Sequence, residues 1–279
     1  MKEKIKIDDI ELILSQPDII DAKWIGQNRY LTQLLAAWMV IDDKDLPMNP
    51  RLIGKPGVGK TTLAAVAGQF RKQDIYIFQA TVDTRPEDLL VVPIITAGNK
   101  VSYHASSLVT AMIKGGVCIL DEGNRMSEKS WASLAPLLDY RRYIESIIAG
   151  VKIKAHPDFR IVTTMNDDAS TFEIPDYIQS RLQPQITIDF PDRDEELMIL
   201  KEFLPFADEK ILYYIVNFLQ KAHKEDEKFS VRDGINIGRY ISKRMKQKEN
   251  SNENDSETLR KEFVETISMI LGEDAFPYL

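Results

Sequence analysis

Gly54-Lys55-Pro56-Gly57-Val58-Gly59-Lys60-Thr61 decides the reading of this chain. It satisfies the phosphate-cradling pattern G-x-x-x-x-G-K-[ST] at every specified position. Three glycines let the backbone curl so that successive N–H groups face phosphate oxygens, and a following helix adds the positive end of its dipole. Lys60 would reach the β- and γ-phosphates, and the Thr61 hydroxyl would help hold Mg²⁺. The flanks supply the context the motif needs. Pro50-Arg51-Leu52-Ile53 reads as a short strand, and Leu63, Val66, Ala67 and Phe70 recur at helical spacing.

Further along, Val117-Cys118-Ile119-Leu120-Asp121-Glu122 is four apolar residues followed by two carboxylates. Such a run fits a strand buried on both faces of a parallel sheet, ending where ligands bind in open α/β folds. Downstream of a phosphate loop, Asp121 is expected to bind the Mg²⁺ shell and Glu122 to act as general base on water. Arg160-Ile161-Val162-Thr163-Thr164-Met165-Asn166 is another strand with a polar end. It would place Asn166 on the same sheet edge. Cys118 reads as a packed apolar residue.

The remaining α/β signals are the strands Ile75–Ala80 and Gln185–Phe190, which make five, and a short helix over Thr84–Leu89. Two hairpins are expected, over Ile94–His104 around Ala97–Lys100, and over Tyr143–Ile153 around Ala149-Gly150. Tyr30, Leu31, Leu34, Leu35, Trp38 and Met39 form the packing face of an amphipathic helix. A second helix over 129–138 should turn Trp131, Leu134, Ala135 and Leu138 inward and bend at Pro136. Asp9–Leu14 reads as a short helix stopped by Pro17.

After Pro191-Asp192 only helices are expected. Ile211, Tyr214, Ile215, Phe218, Leu219 and Ala222 make one face, and Leu259, Phe263, Ile267, Ile270 and Leu271 another. Lys243–Lys248 reads as a solvated basic face, followed by a polar loop over Glu249–Ser256. The chain therefore divides into an N-terminal extension (1–23), an α/β nucleotide-binding domain (24–191) and a helical domain (192–279).

Composition narrows the function classes. A net charge of −7 over 279 residues argues against bulk electrostatic binding to nucleic acid or an acidic membrane. A single cysteine excludes an internal disulfide and fits a reducing compartment. No apolar run approaches the ~20 residues of a membrane span, and Met1–Lys6 lacks a signal-peptide pattern. The expected location is the cytoplasm.

Taken together, these motifs resemble the AAA+ ATPases, and within them the MoxR and dynein-related branch, over about residues 24–245. Gly54–Thr61 is similar to Walker A, Cys118–Glu122 to Walker B, and Asp121-Glu122-Gly123-Asn124-Arg125 to the Asp-Glu-x-Asn-Arg run of MoxR proteins. Asn166 matches sensor 1. Ile174–Leu182 matches the segment carrying the arginine finger, here Arg181, and Ser230-Val231-Arg232 resembles sensor 2, here Arg232. Ile25-Gly26-Gln27 matches the border of the adenine pocket. The resemblance implies a P-loop NTPase core, a five-stranded parallel sheet with flanking helices, followed by a small all-helical lid. It implies ATP and Mg²⁺ as cofactors. Nucleotide contacts are then expected at Ile25, Gly26, Gly54, Lys55, Pro56, Gly57, Val58, Gly59, Lys60, Thr61, Thr62, Asp121 and Arg232. Metal contacts fall to Thr61 and Asp121, and catalytic roles to Lys60, Glu122, Asn166 and Arg181. It also implies a ring of copies, expected to be a hexamer, and a protein client such as a von Willebrand factor A domain protein. The hairpins correspond to the helix-2 and pre-sensor-1 inserts, which tend to face the ring pore or a partner. Two departures stand out: Ala105-Ser106-Ser107 replaces a frequent Gly-Pro pair, and Ser180 replaces the usual Asp before the arginine. A nucleotide-gated assembly module with little turnover, and a GTP- or ATP-driven nucleic-acid motor, are the competing readings.

Overall fold

The computed structural model describes residues 3–96, 100–167, 173–248 and 256–279. The chain separates into two units, Met1–Gly54 with Lys60–Ile188, and Lys55–Gly59 with Asp189–Leu279.

The first unit begins with β1 (Lys4–Ile7), β2 (Ile10–Ile13), α1 (Asn28–Ala37), β3 (Arg51–Gly54), α2 (Lys60–Phe70) and β4 (Ile75–Gln79). It continues with α3 (Pro86–Leu89), β5 (Val91–Thr96), β6 (Lys100–Ala105), α4 (Ser107–Lys114), β7 (Val117–Asp121) and α5 (Glu128–Leu134). It closes with β8 (Tyr143–Ser146), β9 (Val151–Lys154), β10 (Arg160–Asn166), α6 (Asp176–Gln179) and β11 (Gln185–Thr187). Five strands form one parallel sheet in the order β11-β3-β10-β7-β4. The apolar runs explain the order, because the strands buried throughout, β10 and the apolar part of β7, hold central places. Side chains alternate across β7. Cys118 and Leu120 enter the core that holds Leu108, Met112 and Trp131. Val117 turns toward α2, where a Cβ on Gly68 would stand 3.5 Å from its methyl.

Three expectations change here. Asp9–Leu14 is no helix: β1 and β2 pair antiparallel, with Asp8 at φ 51° in the turn. The cause is the period-two pattern of Ile10, Leu12 and Leu14, of which Leu12 and Leu14 are buried. β2 then pairs in parallel with β6, building a second sheet ordered β1-β2-β6-β5. The helix expected over 129–138 is α5, which stops at Leu134 rather than bending at Pro136. Ala135 keeps helical dihedrals (φ −52°, ψ −41°), but Pro136 offers no N–H to continue the ladder. α1 ends at Ala37, leaving Met39 exposed, while Trp38 is buried and donates its indole N–H to the Ile161 carbonyl at 3.0 Å. Phe70 is likewise exposed at the end of α2. Both hairpins form, β5–β6 and β8–β9. The turn expected at 97–99 lies outside the described residues, as do 249–255 of the polar loop, whose last residue, Ser256, opens a helix.

The second unit holds α7 (Arg193–Phe203), α8 (Glu209–Lys224), α9 (Val231–Lys248) and α10 (Ser256–Leu271). Asp192 and Glu195 cap α7 reciprocally. Ile211, Ile215, Phe218, Leu219, Phe263 and Ile267 join one core, as expected, whereas Tyr214 and Ile270 are partly in solvent. Gly238 lets α9 lie close: a Cβ there would meet Leu204 at 2.5 Å. In the basic stretch, Lys243 and Lys246 are exposed, but Arg244 bonds Glu262 of α10 at 3.0 Å and so ties two helices.

Glu196 is fully buried in α7, and burial pushes its carboxyl up to about 8 against a single hydrogen bond from Gln220. The folded unit keeps its proton where the unfolded chain, with an ordinary carboxyl, has lost it. Stability therefore falls as pH rises from about 4.5 to about 8 and levels off above. Glu196→Gln is expected to remove that slope and add about 2–4 kcal/mol at pH 8. Melting curves at pH 5 and pH 8 check it; an unchanged pH dependence would place the burden on another group.

Candidate functional site

The register of the parallel sheet brings the polar strand ends together. Asn166 of β10 lies opposite Gly54 of β3, and Leu120 of β7 opposite Thr163 of β10. Asp121 and Glu122 therefore emerge beside the start of α2. The buried Lys60 folds back so that Nζ donates to the Gly54 carbonyl at 2.7 Å. Thr61 Oγ1 donates to Asp121 Oδ1 at 2.7 Å, and Thr164 Oγ1 donates to the same oxygen at 2.6 Å. Thr62 follows in the first turn of α2, half-buried.

Glu122 is held in the left-handed region at φ 55°. Its N–H donates to Thr164 Oγ1 at 3.0 Å, so one hydroxyl fixes both acidic residues. Asn166 Nδ2 donates to Glu122 Oε1 at 3.1 Å, and Arg125 Nε stands 2.7 Å from Glu122 Oε2. Gly123 admits the turn after Glu122, since a Cβ there would collide with the Thr163 methyl. Asn124 is buried and donates to the Asn166 carbonyl at 2.8 Å, tying the ends of β7 and β10.

Residues 55–59 group with the helical unit. Gly57 has φ 83°, and a Cβ on it would collide with Ser230 Oγ and lie 3.4 Å from Arg232 Cβ. Only glycine fits there. Lys55 Nζ donates to the Asp226 carbonyl at 2.8 Å and pairs with its carboxylate at 2.9 Å. Val58 is buried, Pro56 is exposed, and Gly59 has φ 95°. Arg232 is exposed in the first turn of α9, after Ser230, whose N–H and hydroxyl donate to Asp233.

The other expected site residues make contacts of their own. The Arg181 guanidinium donates to the Tyr177 carbonyl and lies 3.7 Å from Asp139, which Arg141 also grips at 2.8 Å. These two arginines hold the Asp139 carboxyl below its ordinary range, the hydrogen bond from Arg141 contributing most. Ile25 and Gly26 occupy the half-buried coil before α1, with Gly26 against the Trp24 ring. α1 in turn packs on α2.

Thr164, Arg125 and Asn124 are parts of the cluster to which the sequence reading gives no role. Thr164 has a usable signal: it lies two residues before Asn166 on a strand and so shares its face. Replacing it by the isosteric valine leaves the Glu122 N–H without its acceptor. Thr164→Val is expected to cost about 1–3 kcal/mol in denaturant unfolding; an unchanged midpoint would show that the hydroxyl bonds contribute nothing.

Chemically, the cluster offers a hydroxyl and a carboxylate as hard oxygen ligands, which suit Mg²⁺ completed by phosphate oxygens and water. It also offers an ammonium, a second carboxylate able to accept a proton, and an amide beside it.

The fold is the AAA+ P-loop fold. Residues 51–182 match the family model of the AAA domain (dynein-related subfamily), a stretch spanning β3 through the residue after Arg181. An uncharacterized protein of Staphylococcus epidermidis is 28% identical over 178 residues, covering 62% of this chain and 67% of the relative. One of Staphylococcus aureus is 27% identical over 179 residues, covering 62% and 68%. Among solved structures, a mutant form of Thermotoga maritima RuvB superposes with a TM-score of 0.60 at 18% identity, over 88% of this chain and 71% of that one. Thermotoga maritima RuvB, described as a Holliday junction branch migration motor, gives 0.58 at 17%, over 88% and 70%. At such identities the likeness speaks for the fold. Among the described residues, no helix is long and apolar enough to cross a membrane.

Proposed function

We propose that this chain hydrolyses ATP with Mg²⁺ and, in the manner of MoxR-like AAA+ ATPases, uses the change of nucleotide state to remodel or activate a partner protein. The observation that carries the reading is the pairing at the strand ends: Asp121 Oδ1 shared by the hydroxyls of Thr61 and Thr164, with Glu122 beside Asn166. A site that only held a nucleotide has no need of the second carboxylate.

In this reading the N–H groups of residues 55–59 and of the first turn of α2 hold the phosphates, with Gly54 and Thr62 at either end. Lys60 exchanges its carbonyl partner for phosphate oxygens. Bound Mg²⁺ supplies charge neutralisation at the β- and γ-phosphates, and Thr61 and Asp121 are the side chains that would hold it. Glu122 accepts a proton as water attacks the γ-phosphorus; the new P–O bond forms as the bond to ADP breaks. Asn166 has two N–H groups, so it can keep Glu122 oriented with one and direct water with the other. Arg232, on the helical unit acting as a lid, and Arg181, presented to a neighbouring copy in a ring, would neutralise charge on the γ-phosphate. Ile25 and Gly26 border the adenine. The hairpins β5–β6 and β8–β9 are the proposed contacts to a client, of which a cytoplasmic von Willebrand factor A domain protein is the favoured kind.

Phosphate release from ATP tests this. The wild-type chain should turn over only with Mg²⁺, and Lys60→Ala should lose both binding of a fluorescent ATP analogue and turnover. Metal-independent release, or release undiminished in Lys60→Ala, would overturn the reading.

A further inference from the structure

The helical unit carries a cavity of about 530 Å³ that the ATPase reading does not use. It opens between α8, α10, the start of α7 and the C-terminal residues. Its volume falls within the ~300–1,000 Å³ of small-molecule clefts.

Four of its lining side chains are cationic, Arg193, Lys221, Lys224 and Arg260, and among the described residues no side-chain carboxylate lines it. In a chain of net charge −7 that concentration of one sign is a local reversal of the protein's field. One oxygen already sits there: Lys221 Nζ donates at 3.0 Å to an oxygen of the Leu279 main-chain carboxyl group, so one of the four cations already has a partner. Behind the wall, Gln220 separates the cavity from Glu196 by its hydrogen bond of 3.0 Å. That carboxyl keeps its proton at neutral pH because burial pushes it up to about 8, so it adds no repulsion. Carboxylates border the lining without joining it: Glu227 accepts from the Tyr278 hydroxyl at 3.0 Å, and Glu225 lies near enough to act on the same hydroxyl.

Half of the other lining residues are aromatic. Tyr214 and Phe263 stand with ring centroids 5.5 Å apart, Tyr214 partly in solvent, and Tyr278 closes another side. A wall of rings beside a cluster of cations suits a ligand with a flat body and an anionic end.

We propose that this cavity binds a small phosphorylated molecule with a planar ring, of the nucleoside monophosphate type, with the phosphate among Lys221, Lys224, Arg193 and Arg260 and the ring against Tyr214 and Phe263. The site is separate from the glycine loop, and its existence does not depend on ATP hydrolysis.

The test titrates the full chain carrying Lys60→Ala, which disarms the glycine loop, with adenosine monophosphate, guanosine monophosphate and inorganic phosphate, read by calorimetry. Saturable binding of a mononucleotide, at least tenfold tighter than inorganic phosphate, is expected. Adding Lys224→Glu and Arg260→Glu should weaken it at least tenfold. Both side chains are exposed, so melting temperature should hold; should it drop, Lys224→Ala with Arg260→Ala must give the same ordering. Tyr214→Ala should weaken the mononucleotide and leave phosphate unaffected. Lys243→Glu with Lys246→Glu, exposed on α9, should change neither. Three results would overturn the proposal: no saturable binding of either mononucleotide, affinity indifferent to the changes at 224 and 260, or phosphate binding as tightly as mononucleotide.

Discussion

A Glu122→Gln chain is expected to bind Mg-ATP and hold it, with hydrolysis slowed at least about 100-fold. Glutamine keeps the size of the side chain and can still meet Asn166, but it cannot accept the proton that water must lose. General-base assistance contributes roughly 10²–10⁴ in rate, which sets the scale of the loss. The hydrogen bonds of Lys60 to Gly54 and of Thr61 and Thr164 to Asp121 do not involve the Glu122 side chain and should remain. The change should therefore fall on the chemical step and spare binding. Single-turnover phosphate release, with ATP retention followed in parallel, reads the two separately. Turnover within a few-fold of wild type would remove Glu122 from the role of base.

Arg181→Ala is expected to fold, bind ATP and lose roughly 10³–10⁵ in turnover, the range an arginine finger supplies in characterised NTPases. The side chain contributes little to its own unit. It meets one backbone carbonyl and lies 3.7 Å from Asp139, which keeps Arg141 when Arg181 is gone. A melting temperature near wild type with turnover lost would separate chemistry from folding. Near-normal turnover in that variant would exclude the residue from the mechanism.

The phosphate loop and the carboxylate strand are legible in the sequence because each is a local pattern. A glycine run between a strand and a helix, and a fully apolar run ending in Asp-Glu, need no distant partner to be recognised. What stays hidden depends on distance. β2 finds its pairing partner β6 some ninety residues away, and its short period-two pattern is inconspicuous between the acidic pair Asp8-Asp9 and Pro17. The alliance of Gly57 with Ser230 and of Lys55 with Asp226 joins stretches more than 170 residues apart, so nothing near the loop announces it. Likewise the Arg181 neighbour Asp139 and the Arg244 partner Glu262 come from other elements. Pro136 is a local signal with two outcomes, a bend or a stop, and here the helix stops. Thr164 is legible in principle, since strand alternation puts it on the face of Asn166.

The most direct test of the account mixes two inactive chains. Arg181→Ala keeps a complete set of Lys60, Asp121, Glu122 and Asn166 but has no arginine to offer. Glu122→Gln keeps Arg181 but cannot turn over its own ATP. If the site is shared between neighbouring copies, an Arg181→Ala subunit beside a Glu122→Gln subunit regains a complete site. The mixture should then hydrolyse Mg-ATP at a substantial fraction of the wild-type rate, rising to a maximum at an intermediate ratio. A mixture that exchanges subunits yet stays as inactive as its parts, while the wild type is active, would contradict a shared ATPase site.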